Sequence, residues 1–125
     1  MKLLLAGLFL IASQSRPGRF EGGSYTTCPD LHESLVQNTA YVEANESDLL
    51  RFAKSKPFAK CPVANCEGQD TKVWMEIRVE NVFCATAENG PQEMQQAAVD
   101  AAMKMKFKKH RGESNIAGTL HFRFK

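Results

Sequence analysis

The sequence predicts an α+β fold, in which a small three-stranded antiparallel sheet carries one helix packed on a face and follows N-terminal helical segments. Residues 72–79 alternate between apolar and polar side chains, and residues 82–87 follow closely enough to complete a hairpin. Residues 91–107 repeat apolar side chains at the helical spacing of three and four, and residues 116–124 alternate again. The order strand, strand, helix, strand closes a small sheet with the helix across one face.

Length and composition indicate one small globular domain. The chain has 125 residues, of which 43% are apolar and 24% are charged, as in ordinary soluble proteins. The formal net charge of +2 is too small to imply a polyanionic partner, so no nucleic acid is expected.

Residues 1–15 resemble a secretory signal peptide. Lys2 precedes the apolar run 3–12, and the small residues Ser13 and Ser15 follow at the spacing that a signal peptidase reads. The run is too short to span a bilayer, which requires about 20 apolar residues. We therefore expect cleavage near Ser15 and a periplasmic or secreted protein. The alternative is an uncleaved anchor, in which case the leader is the only expected membrane contact.

Residues 16–57 precede the predicted sheet and divide into two parts. Residues 16–28 contain three Gly and one Pro and few apolar side chains, which predicts a flexible lead-in. Residues 29–57 show helical patterns in two pieces, one opened by Pro29 and one capped by Ser47. The stretch between the two pieces, around residues 39–44, is ambiguous.

Four cysteines in an exported chain predict two disulfides. Cys28, Cys61, Cys66 and Cys84 allow three pairings, and an oxidising compartment favours bonded pairs. A zinc site is the weaker interpretation, because the four residues between Cys61 and Cys66 exceed the usual zinc-knuckle spacing and the other two cysteines lie far away in sequence. No metal and no cofactor are expected.

The hairpin register favours one of the three pairings. If the turn lies at residues 80–81, Cys84 is opposite Ile77 and away from the Cys66 end of its neighbour strand. The favoured pairs are Cys61 with Cys66 and Cys28 with Cys84.

The predicted helix has small side chains on its inner face. Its apolar residues at helical spacing are Met94, Ala97, Ala98, Ala101, Ala102 and Met105. Because alanine presents only a methyl group, this face allows the helix axis to lie closer to the sheet than leucines would. The strands must then supply the bulky side chains.

The last strand divides its side chains between two faces. The apolar face has Ile116, Leu120, Phe122 and Phe124, and the other face has Thr119, His121 and Arg123. Gly118 belongs to the apolar face and leaves a gap where another backbone could approach closely.

The motifs from residue 58 onward occur in the order of a known family. Gly90 and Pro91 open the helix, Gln96 begins a Gln-Ala-Ala core, and Phe107 precedes two lysines, a turn and a strand with alternating aromatics. In these motifs, residues 58–125 resemble the C-terminal domain of TonB-type energy transducers and their stand-alone relatives. A full transducer has an inner-membrane helix and a Pro-rich spacer. This chain has a short leader and five Pro, so we expect an exported stand-alone relative.

The resemblance implies a binding function linked to outer-membrane transport. In that family, a short segment of an outer-membrane receptor adds to the sheet edge, which is β-augmentation. The partner implied here is a peptide segment of an envelope or outer-membrane protein, and pairing of two such edges would give a homodimer. The implied binding edge comprises Ile116, Gly118, Thr119, Leu120, His121, Phe122, Arg123 and Phe124.

Two further features admit two interpretations each. The basic cluster Lys104, Lys106, Lys108, Lys109 and Arg111 either contacts phosphate, lipid headgroups or an acidic partner, or is solvated at the helix C-terminus. Solvation is the favoured interpretation. Trp74 is either a binding hot spot or, as we favour, buried beneath the N-terminal helices.

No catalytic constellation is recognisable, so no enzyme is expected. His32, His110 and His121 are scattered, without a carboxylate or cysteine at a catalytic spacing, and nucleophile motifs are absent. The sequence therefore predicts an exported, non-catalytic protein-binding domain. The alternative is a small secreted, disulfide-stapled inhibitor or effector that acts through residues 29–57.

Overall fold

The computed structural model describes residues 18–21, 23–29, 41–109 and 115–125. These residues form one seven-stranded mixed sheet and two helices. The strands are β1 (Arg19–Glu21), β2 (Ser24–Thr26), β3 (Val42–Glu43), β4 (Phe58–Ala59), β5 (Asp70–Arg78), β6 (Asn81–Ala87) and β7 (Asn115–Phe124). The helices are α1 (Glu46–Phe52) and α2 (Gln92–Met103).

The strand order is β1-β2-β6-β5-β7-β3, and β4 also pairs with β7. β3 and β4 run parallel to β7, whereas the other pairs are antiparallel. The predicted fold, a small three-stranded antiparallel sheet with one helix, is therefore wrong. β6, β5 and β7 form only the middle of a larger mixed sheet.

The additional strands come from parts of the chain that carry no strand signal. β1 and β2 lie within residues 16–28, where a flexible lead-in is predicted, and β3 lies within the ambiguous residues 39–44. β1 to β4 have only two or three residues each, too few for alternation to show in a sequence. β2, β3 and β4 pair because the longer β6 and β7 offer main-chain partners, and β1 pairs with β2.

Among the described residues, helix in the range 29–57 is confined to α1. Its N-cap is Asn45, whose side-chain oxygen accepts a hydrogen bond from the Asp48 N–H at 2.8 Å. The predicted cap, Ser47, lies inside the helix instead. The helix predicted to open at Pro29 falls mainly outside the described residues.

The β5–β6 hairpin turns one residue earlier than predicted. Val79 and Glu80 form the turn, and Val79 has φ 60°, a region where glycine or asparagine is usual. Ile77 consequently faces Val82, and a bulge then places Cys84 opposite Glu76.

The disulfide pairing agrees with the prediction even though the register differs. Cys28 is bonded to Cys84 and Cys61 to Cys66, and no described cysteine is free. The first bond ties the end of the β1–β2 hairpin to β6. The second closes a short loop beside the C-terminal end of β7, where the Cys61 N–H donates to the Lys125 carbonyl.

α2 packs on β2, β5 and β6 through small side chains. Ala98 and Ala102 are fully buried against the sheet, as the alanine pattern predicts, whereas Ala97 and Ala101 are half-buried. The core beneath is supplied by large strand residues, among them Val73, Met75, Ile77, Leu120 and Phe122.

Gly118 makes the close approach that the sequence predicts. A Cβ at this position would collide with the Ala44 carbonyl oxygen and lie 2.7 Å from Leu49 Cδ1. The missing side chain therefore allows the segment between β3 and α1 to pack directly on β7. Neither α1 nor α2, the helices of the described residues, is long and apolar enough to cross a membrane.

Candidate functional site

The two sides of β7 are paired very differently. On one side, β5 pairs with β7 from Asn115 to Arg123. On the other side, β3 pairs at residues 116–117 and β4 pairs at residues 123–124. The implied binding edge is therefore occupied at both ends, and residues 118–122 are the stretch that no described strand covers.

The main chain of this stretch points its hydrogen-bonding groups outward at alternate residues. The His121 N–H donates to a Glu46 carboxylate oxygen at 2.8 Å, and the Arg123 N–H donates to the Pro57 carbonyl at 3.0 Å. Because alternate residues of a strand point the same way, the N–H and C=O of Thr119 also face the outer side. An added strand would meet these groups first.

A groove of about 650 Å³ opens between α1 and the segment that leads into β4, beside the His121 end of this stretch. This edge groove is lined by Glu46, Leu50, Lys54, Lys56, Phe58, His121 and Arg123, among others. Leu50 and Phe58 are 45% and 38% exposed, so two large apolar side chains of this one groove are accessible to a partner. The groove thus combines exposed apolar surface with outward main-chain groups.

Glu46 and His121 form the polar centre of the edge groove. The His121 Nδ1 atom lies 3.1 Å from a Glu46 carboxylate oxygen, in addition to the main-chain hydrogen bond. Burial raises the pKa of Glu46, but the hydrogen bonds from His121 and its charge outweigh burial and lower that pKa below its usual value. Lys54, Lys56 and Arg123 form no ion pair with another described residue, so the groove is basic.

The implied binding residues separate into two groups. The apolar ones, Ile116, Leu120, Phe122 and Phe124, have at most 4% exposure and belong to the core. Their side chains are unavailable to a partner. The His121 and Arg123 side chains are exposed in the edge groove, Thr119 does not line the groove, and Gly118 contacts Ala44.

Sequence reasoning missed the wall of the groove. Leu50, Lys54, Lys56 and Phe58 come from residues placed in or next to the helical segment. The sequence did contain a signal for this wall. Leu50 and Phe58 flank Lys54 and Lys56, and a helix must end before Pro57.

The other predicted features have different outcomes. Trp74 is half-buried, and the first of the N-terminal helices predicted to cover it lies mainly outside the described residues. In the basic cluster, the Lys106 ammonium donates to the Asn81 side chain at 2.7 Å, and Lys104 lines a second groove beside α2. Arg111, His32 and His110 lie outside the described residues.

One cluster of metal-ligand type occurs among the described residues. The ligand atoms of Cys28, Glu76 and Cys84 lie within 4.8 Å of one another. The two sulfurs are bonded to each other, so they offer no thiolate, and the lone carboxylate of Glu76 is not a metal site.

Comparisons with protein families, with curated proteins and with solved structures found no match to this chain. The assignment of a function therefore depends on the geometry of the edge groove and on the motifs of the sequence.

Proposed function

We propose that this chain is an exported, non-catalytic protein-binding domain whose edge groove takes an extended segment of an envelope protein. The observation that carries the proposal is a groove with exposed apolar walls beside His121, at the end of the stretch of β7 that no described strand pairs. The segment adds to the sheet by β-augmentation, with main-chain hydrogen bonds to Thr119 and apolar contacts to Leu50 and Phe58.

The length of the stretch limits the size of the bound segment. A strand rises about 3.4 Å per residue, so residues 119–122, which follow the Gly118 contact with Ala44, offer about 14 Å, enough for about four residues of a partner. β3 and β4 limit further pairing at either end. A short receptor segment, of the kind that the resemblance to TonB-type domains suggests, fits this length.

The leader and the two disulfides support export of the chain. The alternative of an inhibitor acting through residues 29–57 leads to the same surface, because Leu50, Lys54 and Lys56 belong to that range. Deleting this range would remove β3 and α1 from the fold, so point variants are the suitable test.

The experiment is a selection of short random peptides on phage against the disulfide-bonded chain, followed by amide NMR of the complex. We expect shifts at Thr119, Leu50 and Phe58, and slowed solvent exchange of the Thr119 amide as it gains a partner. Selection of no peptide, or shifts confined to β1 and β2 at the far end of the sheet, would contradict the proposal.

Matched apolar variants sharpen this test. Leu50→Gln and Phe58→Gln should each weaken peptide binding about tenfold, because they remove exposed anchors from the groove. Phe20→Gln is the control, since Phe20 is 39% exposed against 38% for Phe58 but lies on β1. Equal affinity losses in Phe58→Gln and Phe20→Gln would argue against the edge groove.

A further inference from the structure

A second groove lies on the other side of the segment that leads into β4. This lysine groove, between that segment and α2, has a volume of about 390 Å³. The lining residues that matter here are Lys56, Phe58, Lys60, Ala101, Lys104 and Met105.

Three lysines from different parts of the fold line this groove. Lys56 precedes β4, Lys60 follows it, and Lys104 is the C-cap of α2. All three are exposed, and none forms an ion pair with another described residue. Asp100 is the single acidic residue of the lining. Three ammonium groups around one cavity favour an anion with several oxygen atoms, such as a phosphate.

More cations surround the same segment. Lys54 and Arg123 line the edge groove on its other side, and the Lys125 ammonium lies 4.0 Å from the centre of the Phe58 ring. The acidic side chains of the two linings are Asp100 and Glu46, and Glu46 already binds His121. Since the formal net charge of the whole chain is only +2, the positive charge is concentrated at this end.

The floor of the lysine groove is apolar. Ala97 and Ala101 are half-buried in it, Met105 is 5% exposed, and Phe58 stands at the rim. A free phosphate has no apolar atoms that could contact this floor, whereas an amphiphile can place carbon atoms against it. The volume suits a headgroup with its first carbons, so the acyl chains of a lipid would remain in a bilayer.

We propose that the lysine groove binds the phosphate headgroup of an anionic phospholipid, so that this end of the molecule docks on a membrane surface. Lys56, Lys60 and Lys104 contact the phosphate, and the exposed Phe58 and Leu50 enter the interfacial region of the bilayer. Lys56 and Phe58 line both grooves, so a bound peptide and a bilayer would compete there. Lys60 and Lys104 do not line the edge groove, so variants of these two lysines test the phosphate site separately.

The test is co-sedimentation of the disulfide-bonded chain with vesicles. Vesicles of phosphatidylglycerol mixed with phosphatidylcholine should bind the chain, and vesicles of phosphatidylcholine alone should not. The double variant Lys60→Glu with Lys104→Glu should lower the partition constant at least about 25-fold, since the loss of each basic residue near the surface costs about fivefold and each new carboxylate adds repulsion. Lys72→Glu with Lys109→Glu makes the same charge change at exposed lysines outside both grooves and should cost less than about threefold. Thermal melting confirms that both variants fold.

Three outcomes would overturn the proposal. Equal losses in the two double variants would show a diffuse charge effect without a site. Inorganic phosphate that shifts the Lys104 and Ala101 amides in NMR, with no vesicle binding by the parent chain, would show a site for the free anion. Polyglutamate that binds the parent chain and not the Lys60→Glu, Lys104→Glu variant, again without vesicle binding, would show an acidic protein as the partner.

Discussion

Gln95 connects α2 to the N-terminal hairpin. Its side-chain oxygen accepts from the Tyr25 N–H at 2.7 Å, and its amide donates to the carbonyls of Gly23 and Gly90 at 2.9 and 2.7 Å. The residue is only 3% exposed. The helical pattern assigns Gln95 to a polar outer face, but these three hydrogen bonds satisfy all its groups in the interior.

Replacing Gln95 should therefore be costly. Gln95→Leu leaves the Tyr25 N–H without its partner and should lower the free energy of unfolding by about 2 to 3 kcal/mol. Urea denaturation measures this loss as a lower midpoint at an unchanged slope. Gln96→Leu, at the half-buried neighbouring position, is the control and should change the midpoint little. Similar midpoints for both variants would show that the three Gln95 hydrogen bonds contribute nothing to stability.

Glu46 gives the stability a defined dependence on pH. Its folded pKa is lowered from 4.5, so the carboxylate contributes stability above that pH, and the contribution disappears as pH falls through the lower folded pKa. The effect is small, because the Glu46 and His121 side chains are 38% and 47% exposed. In a series of urea melts, the stability difference between the parent chain and Glu46→Gln should be present at neutral pH and shrink below pH 4.5. A difference that grows as the pH falls below 4.5 would contradict this assignment.

At the scale of elements, β7 is a central strand with a short open window. β5 covers one side, whereas the outer side is free of described strands only at residues 118–122. The two directions of the main chain therefore have different roles. Inward groups pair with β5. Among the outward groups, the His121 N–H is already bonded to Glu46, which leaves the Thr119 main chain for a partner.

Proline substitutions separate these two roles. Thr119→Pro removes an outward N–H, so it should abolish peptide binding while the chain still melts cooperatively. Leu120→Pro removes an N–H directed at β5 and should destabilise the fold by about 3 kcal/mol or more. Circular dichroism melts and peptide titrations of both variants provide the measurement. Normal peptide affinity in a folded Thr119→Pro chain would place the peptide elsewhere.

The sequence was informative where an element is long and periodic. β5, β7 and α2 have nine, ten and twelve residues, and their apolar spacing identifies them without tertiary information. β1 to β4 are stabilised by their neighbours in the sheet rather than by local pattern, so the small-sheet prediction failed. The residues of the edge groove divide in the same way between local pattern and non-local contacts. The alternation of β7 predicted His121 and Arg123 on its polar face. Leu50 and Lys54 were not found, because the contacts that hold α1 and the residues after it beside β7 are non-local.

At the scale of the whole molecule, the disulfides act on chain segments of very different size. The Cys28–Cys84 bond closes a separation of 56 residues, and the Cys61–Cys66 bond closes one of 5 residues. The longer loop restrains far more of the unfolded chain. It also keeps the N-terminal hairpin on β6, which makes the two halves of the chain one unit.

Removing the two bonds should therefore have unequal effects. Paired Cys→Ala substitutions should cost about 4 kcal/mol at Cys28 and Cys84, but only about 2 kcal/mol at Cys61 and Cys66. Urea denaturation of the two double variants, compared with the oxidised parent, measures both losses. A larger loss for the short loop would mean that it stabilises the native state directly rather than through the unfolded chain.

The C-terminal residues also have a mechanical consequence. The Lys125 N–H donates to the Ala59 carbonyl, and the Lys125 carbonyl accepts from the Cys61 N–H. The Phe124 carbonyl accepts from the Gly68 N–H. A force pulling the C-terminus along β7 would load these bonds and the β5 and β4 ladders together, in shear, instead of opening them one after another. A tethered partner pulling in this direction would meet high resistance, whereas the two-residue β3 would peel away under a transverse load.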